Sequence, residues 1–127
     1  MSDVGQATRP SINSHRDLIA RQKAMDLVVV CYAATKTFPK DETYGLTSQI
    51  RRAAVSIPAN VAEGQGRRLA KEFQQFLGHA RGSFLELDTH LELALRLDYL
   101  DTEQHSSLLT KIHEVGRILN GLLRSIS

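Results

Sequence analysis

YGLTSQIRRAAVSIPANVAEGQGR, residues 44–67, reads as one helix built with unusual choices. Leu46, Ile50, Ala53, Ile57 and Val61 recur three or four residues apart, which lines them along one face of an α-helix. Pro58 falls inside that pattern. It has no N–H for the carbonyl of Ala54, so a kink is expected there. The apolar stripe stays in phase from Ile57 to Val61, so the helix is expected to resume rather than end. Thr47 is placed as the N-cap. Gly64 and Gly66 are expected to stop the helix, glycine being the residue that most readily takes the left-handed C-terminal conformation. A polar stripe follows Gln49, Arg52, Ser56, Asn60, Glu63 and Arg67. A third sector, Val55, Ala59 and Ala62, is small enough for a close neighbour.

Working outward, strand signals are nearly absent and helical periodicity continues on both sides. A first helix is expected from about Asp17 to Thr37, ended by Phe38-Pro39. Leu18, Met25, Val28, Val29 and Tyr32 line one of its faces, and Ala20, Ala24, Leu27, Cys31 and Ala34 line nearly the opposite one. A helix that is apolar on two sides is buried on two sides, so the second side is expected to meet another subunit. A third helix, about Ala70 to Tyr99, carries Phe73, Leu77, Ala80, Phe84, Leu87, Leu91 and Ala94 in coiled-coil-like rhythm. A fourth starts after Asp101 or Thr102 and carries Leu108, Ile112, Val115, Leu119, Leu122 and Ile126. Short connections between long helices imply antiparallel neighbours. The expected fold is an all-α, up-down-up-down four-helix bundle over residues 15–127, with residues 1–14 a flexible polar tail.

The formal charge is only +2, too small to mark the whole chain as a nucleic-acid binder. Its distribution says more. Arg51, Arg52, Arg67, Arg68 and Lys71 crowd the second helix and its exit, with Glu63 and Glu72 as the acids there. Glu86, Asp88, Glu92, Asp98, Asp101 and Glu103 crowd the next segment, opposed by Arg96. A chain polarised in this way attracts an anionic partner, or a copy of itself. The single cysteine, Cys31, excludes an intrachain disulfide and fits a reducing cytoplasm. No apolar signal segment opens the sequence, and no run of about 18 apolar residues would span a membrane.

Chemistry-bearing residues are weakly organised. Glu86 and His90 stand one helical turn apart, but bundle metal sites use Glu-x-x-His, and Leu87 and Thr110 occupy the positions three before His90 and His113. His113-Glu114 is followed by Val-Gly-Arg and is not the zinc-binding His-Glu-x-x-His. Cys31 lies in an apolar pattern with no neighbouring base, which reads as a buried structural thiol. Gly64-Gln65-Gly66 follows a helix instead of opening one, so it is not a phosphate loop. No catalytic constellation emerges, and no cofactor or metal is expected. The basic residues Arg51, Arg52, Arg67, Arg68 and Lys71 admit two readings. They contact RNA or DNA phosphates, which arginine grips bidentately, or they pair with Glu63 and acids of the third helix to hold the bundle or an oligomer together. Arg52 and Glu63 share a face, which suggests a polar network running through Asn60, with Asn60 also able to serve the carbonyl freed by Pro58.

The segment also resembles a known signature. Tyr44-Gly45-Leu46, Gln49-Ile50-Arg51-Arg52-Ala53, Ser56-Ile57-Pro58, Asn60, Ala62-Glu63-Gly64, Gly66 and Arg67 are similar to the bacterial four-helix bundle protein family, the 23S rRNA intervening-sequence-encoded proteins. Gln22-Lys23-Ala24-Met25-Asp26-Leu27, Glu72-Phe73 and Gly82-Ser83-Phe84-Leu85-Glu86-Leu87 extend the similarity. Arg21 departs from it, standing where the family usually carries Trp. The resemblance implies a cyclic homopentamer with a central channel. A related group, the accessory proteins of diversity-generating retroelements, binds nucleic acid and a reverse transcriptase, which makes both possible partners by analogy. The expectation is therefore a non-enzymatic, cytoplasmic, ring-forming protein that binds structured nucleic acid, RNA in preference. The rival is an adaptor whose arginines serve the subunit interface.

Overall fold

The computed structural model describes residues 15–126; the tail expected over 1–14 lies outside them. Four helices follow one another: α1 (His15–Thr35), α2 (Leu46–Gln65), α3 (Ala70–Arg96) and α4 (Thr102–Ile126), with a single 3-10 turn at Lys40–Glu42. α3 is the longest at 27 residues, about 40 Å at 1.5 Å per residue. α1 packs on α2, α2 on α3, α3 on α4, and α4 closes the square on α1. That is the antiparallel up-down-up-down bundle, and among the described residues there is no strand.

The core is made by the stripes that the periodicity selects. Ile50, Ile57 and Val61 of α2, Leu77, Leu87 and Leu91 of α3, and Ile112 and Leu119 of α4 are essentially inaccessible to solvent. From α1 the face of Ala20, Ala24, Leu27 and Cys31 joins them, with Val30, Ala34 and also Val28, expected on the outward face, partly buried against it. The opposite face is uncovered in the protomer, with Met25 55% and Val29 68% exposed, and Leu18 and Tyr32 also exposed. α2 runs without interruption through Pro58, whose ring is itself buried. Val61 remains in the core, as the unbroken phase of the stripe requires.

Helix ends depart from the expectations. Thr47 is inside the first turn of α2 and is buried; the capping acceptor is Glu42, whose Oε1 receives the Leu46 N–H at 3.0 Å. The other carboxylate oxygen accepts the Tyr99 hydroxyl at 2.8 Å, and the Tyr99 ring meets Phe38 at 5.4 Å. One side chain thus joins the α1–α2 loop to the α3–α4 corner. These two donors, the Leu46 amide first, hold the Glu42 carboxyl below its ordinary pKa, and the same bond raises that of Tyr99. Gly66 closes α2 in the right-handed region (φ −82, ψ −4), and no glycine of the described residues has positive φ.

The left-handed residue is Asp98 (φ 62). α3 stops at Arg96, short of the expected Tyr99. Asp98 N–H bonds Leu95 O at 3.0 Å and Tyr99 N–H bonds Ala94 O at 2.9 Å. This pair of bonds is the Schellman arrangement, whose left-handed position usually falls to glycine. α4 opens on a reciprocal cap: Gln104 N–H donates to Asp101 Oδ1 at 2.7 Å, and Asp101 N–H to Gln104 Oε1 at 2.9 Å.

Two predictions follow from these termini. Asp98→Gly removes the side-chain penalty of the left-handed conformation, about 1–2 kcal/mol. Thermal denaturation is expected to show a midpoint raised by several degrees; a lowered midpoint contradicts this account of the α3–α4 corner. Glu42→Gln bears on acid stability. The lowered pKa of Glu42 means that its contribution is present above the ordinary glutamate pKa and lost as pH falls through the lowered value. Denaturant titrations from neutral pH to pH 3 are expected to show a shallower loss for the variant than for the parent chain. Parallel curves would remove Glu42 from the acid transition.

Candidate nucleic-acid interface

The basic residues that crowd the sequence separate in space. Arg51 and Arg52 sit in the first half of α2, while Arg67, Arg68 and Lys71 sit at the α2–α3 corner. Gln65 stands thirteen positions after Arg52 along the helix, which is about 20 Å of rise. These five residues therefore form two groups and not one continuous cluster.

Arg51 and Arg67 are already engaged. Arg51 Nε donates to the Thr35 hydroxyl at 2.9 Å, Nη2 reaches the Tyr32 carbonyl at 3.5 Å, and the guanidinium stacks 4.5 Å over the Tyr32 ring. It therefore binds the C-terminal turn of α1, where a cation also meets the negative end of the helix dipole. Thr35 is turned back on that turn, its hydroxyl donating to Cys31 O at 2.9 Å. Arg67 pairs with Glu63 Oε2 at 3.0 Å, one turn away, and lies 4.7 Å over the Phe76 ring. Arg52, Arg68 and Lys71 are exposed. Among the described residues they form no ion pair.

The network expected through Asn60 and Glu63 divides in two. Asn60 Nδ2 donates to Ser56 O at 2.8 Å and Ser56 Oγ at 2.9 Å, not to the carbonyl of Ala54. Ser83 Oγ of α3 donates to Ser56 Oγ at 2.7 Å. Three small polar groups therefore connect α2 to α3. Glu63 takes no part among the described residues; its carboxylate is exposed and pairs with Arg67. The physical reason is the helix itself. The residue four positions back, Ser56, is in reach on the same face, whereas the Ala54 carbonyl, six positions back, is not.

Gly64, in the last turn of α2, serves packing and not the helix stop. A Cβ there would stand 3.0 Å from Phe73 Cδ1 and 3.1 Å from Phe76 Cβ. Beside it the Gln65 amide reaches across to the Asp17 carbonyl of α1. Gly116 allows a similar approach between α4 and α3, where a Cβ would meet Phe84 Cζ at 2.8 Å. Neither contact has a signal in local composition.

The remaining candidates are structural. Cys31 is fully buried, and burial pushes its thiol up to about 12, the opposite of what a nucleophile needs. His90 Nε2 lies 3.3 Å from Glu86 Oε1. His105, which the sequence did not single out, is buried with Nε2 3.9 Å from Glu92 Oε1 and no hydrogen bond on that nitrogen. Among the described residues, no three His, Cys, Asp or Glu side chains converge on one point, and no helix is long and apolar enough to cross a membrane.

Residues 16–121 match the family described as 23S rRNA-intervening sequence protein. The chain belongs to that family. A crystal structure of a protein of unknown function from the S23 ribosomal protein family of Bacteroides thetaiotaomicron has the same fold, with a TM-score of 0.78 at 23% identity, covering 86% of this chain and 98% of that one. No curated protein is similar enough to match the chain. Within this intervening-sequence family member, the match takes in all of α1, α2 and α3 except His15.

Substitutions separate the two engaged arginines. Glu63→Ala is expected to cost less than about 1 kcal/mol, as exposed ion pairs do. Arg51→Ala removes a hydrogen bond and a cation–π contact and is expected to cost about 1–2 kcal/mol. Chemical denaturation of both variants checks the order. A larger loss for Glu63→Ala would place its carboxylate in a buried pair.

Proposed function

We propose that this protein is a non-enzymatic, self-assembling bundle whose assembled form holds structured nucleic acid, RNA in preference, on the arginines and lysine left exposed around α2. The observation that carries the reading is the uncovered face of α1. Met25 and Val29 are more than half exposed, and Met25 shares an open groove with Val55, Pro58, Ala59 and Ala62 of α2. An apolar surface of that extent, rimmed by Arg21, Gln22 and Asp26, marks an interaction site on a small protein. A second copy is the occupant the family resemblance favours, in a homopentameric ring. The buried, reduced thiol of Cys31 is compatible with work in the cytoplasm.

Ring formation matters for RNA. Of the five basic residues at α2 and its exit, Arg52, Arg68 and Lys71 form no ion pair among the described residues, too few in one copy for tight binding alone. Repetition around a ring raises apparent affinity by about 10²–10⁴ when one RNA reaches several copies. The adaptor reading is favoured by a different observation, the commitment of Arg51 and Arg67 to contacts within the chain. On that reading the exposed cations complete the subunit interface.

Two measurements discriminate. Light scattering at micromolar concentration is expected to give an oligomer, and Val29→Glu to give a monomer with unchanged helicity. A monomeric parent chain ends the assembly reading. RNA binding is expected to fall steeply with salt, since each neutralised phosphate releases counterions. Changing Arg68 and Lys71 together to Ala is expected to weaken binding and flatten the salt slope while the oligomer persists. Loss of the oligomer with RNA binding intact puts the adaptor in its place.

A further inference from the structure

A second aromatic and basic surface lies at the opposite end of α2 from Arg68 and Lys71. The groove between the last turns of α1 and the first turns of α2 is lined by Tyr32, Thr43, Tyr44, Ser48, Arg51 and Arg52. Tyr44 is 96% exposed, a nearly complete exposure for an aromatic ring. It makes no hydrogen bond or ring contact among the described residues.

The backbone that carries it is nevertheless held on both sides. Thr43 N–H bonds Lys40 O at 3.1 Å, the Thr43 hydroxyl bonds the same carbonyl at 2.8 Å, and Gly45 N–H bonds Glu42 O at 3.0 Å. The Glu42 carboxylate locks the next residue, Leu46. Tyr44 is therefore a large flat apolar surface on a fixed support. Folding gains nothing from leaving it in water. A ligand that covers it gains its area with little ordering of the chain.

The chemistry beside it selects the ligand. Arg52 has no ion pair among the described residues. The Arg51 guanidinium sits 4.5 Å over the Tyr32 ring, so the groove already holds one cation–π contact. Thr43 and Ser48 add hydroxyls. No carboxylate lines the groove; Glu42, the nearest acid in sequence, has both oxygens occupied by Leu46 N–H and Tyr99 O–H. A planar ring beside a free guanidinium suits a ligand with an aromatic face and an adjoining anion. A nucleotide has both.

We infer that this groove is a binding site for one unpaired RNA nucleotide, with its base stacked on Tyr44 and its phosphate on Arg52. The inference rests on the RNA-binding reading above and deepens it. It requires a base out of the helix, because in a duplex both faces of each base are already covered by neighbours. Single strands and the loops of structured RNA offer such bases, and stacking accepts any of the four.

The test uses the full chain, a fluorescently labelled single-stranded oligoadenylate and an RNA duplex of the same length, read by anisotropy. Tyr44→Ala is expected to weaken single-strand binding roughly 5- to 150-fold, the loss of one base–aromatic stack, and to leave duplex binding unchanged. Tyr44→Phe keeps the ring and is expected to bind like the parent. Arg52→Ala is expected to weaken single-strand binding and lower its salt slope by about one phosphate contact. The chain has no Trp, so tyrosine emission is read directly; single-strand binding is expected to quench it in the parent and to quench it less in Tyr44→Ala. If the parent binds RNA but Tyr44→Ala and Arg52→Ala bind it equally well, the groove is not the site and the broader reading stands. If the parent binds neither RNA, both fall. A change in oligomer mass on Tyr44→Ala overturns the site in favour of a subunit contact.

Discussion

The close approach of α2 to α3 is the constraint on which the molecule is arranged. Gly64 lies so near Phe73 and Phe76 that a single added carbon would force the rings to move. At the same interface Ser83 of α3 bonds Ser56 of α2, which Asn60 also holds. Larger side chains at these positions would push α3 outward and open the contacts of Ile57 and Leu77, both fully buried. Packing of this density tolerates no vacancy and no surplus. It also sets where the corner residues Arg67, Arg68 and Lys71 emerge, since they follow directly on Gly66.

Tight packing on one side of α2 leaves its other side unsupported. Val55 and Ala59 stand open beside Met25 of α1. The bundle is thus asymmetric: the α2–α3 side is sealed by short polar bridges and glycine, and the α1–α2 side carries apolar surface outward. A protomer built in this way keeps a core of its own and retains a face for something else. The polar contacts of α1 fit that division. Arg51 and Gln65 bond carbonyl and hydroxyl groups of α1 at its two ends, which fixes the helix without covering its outer face.

The distribution of charge follows from the same geometry. Helical spacing places Glu63 one turn before Arg67, so that pair satisfies itself locally at the surface. Arg51 turns inward to the end of α1, and Arg52, rotated by about 100° on the helix, turns outward. Adjacent arginines therefore do different work, one holding the fold and one presenting charge. Their basic neighbours across Pro58 are too distant to share one phosphate with them. Any polyanion that uses both groups must span the length of α2 or bridge neighbouring protomers.

Much of the architecture was legible in the chain itself. The stripes of α2, α3 and α4 announced their helices and their buried faces because helix period and apolar content are local properties, and Leu108, Ile112, Val115 and Leu119 are buried as their spacing requires. The two-faced apolar pattern of α1 was equally plain. What a one-dimensional pattern could not carry was the choice of partner. Glu42 rather than Thr47 caps α2, Asp98 rather than a glycine takes the left-handed turn, and Asn60 turns to Ser56 while Glu63 is left at the surface. Nor could it distinguish Arg51 from Arg52, or show that Tyr44 stands clear of the core. Helix period is determined by the backbone within a few residues. The partner of a side chain depends on what the tertiary fold brings within about 3 Å of it, and those atoms come from residues far away in the chain.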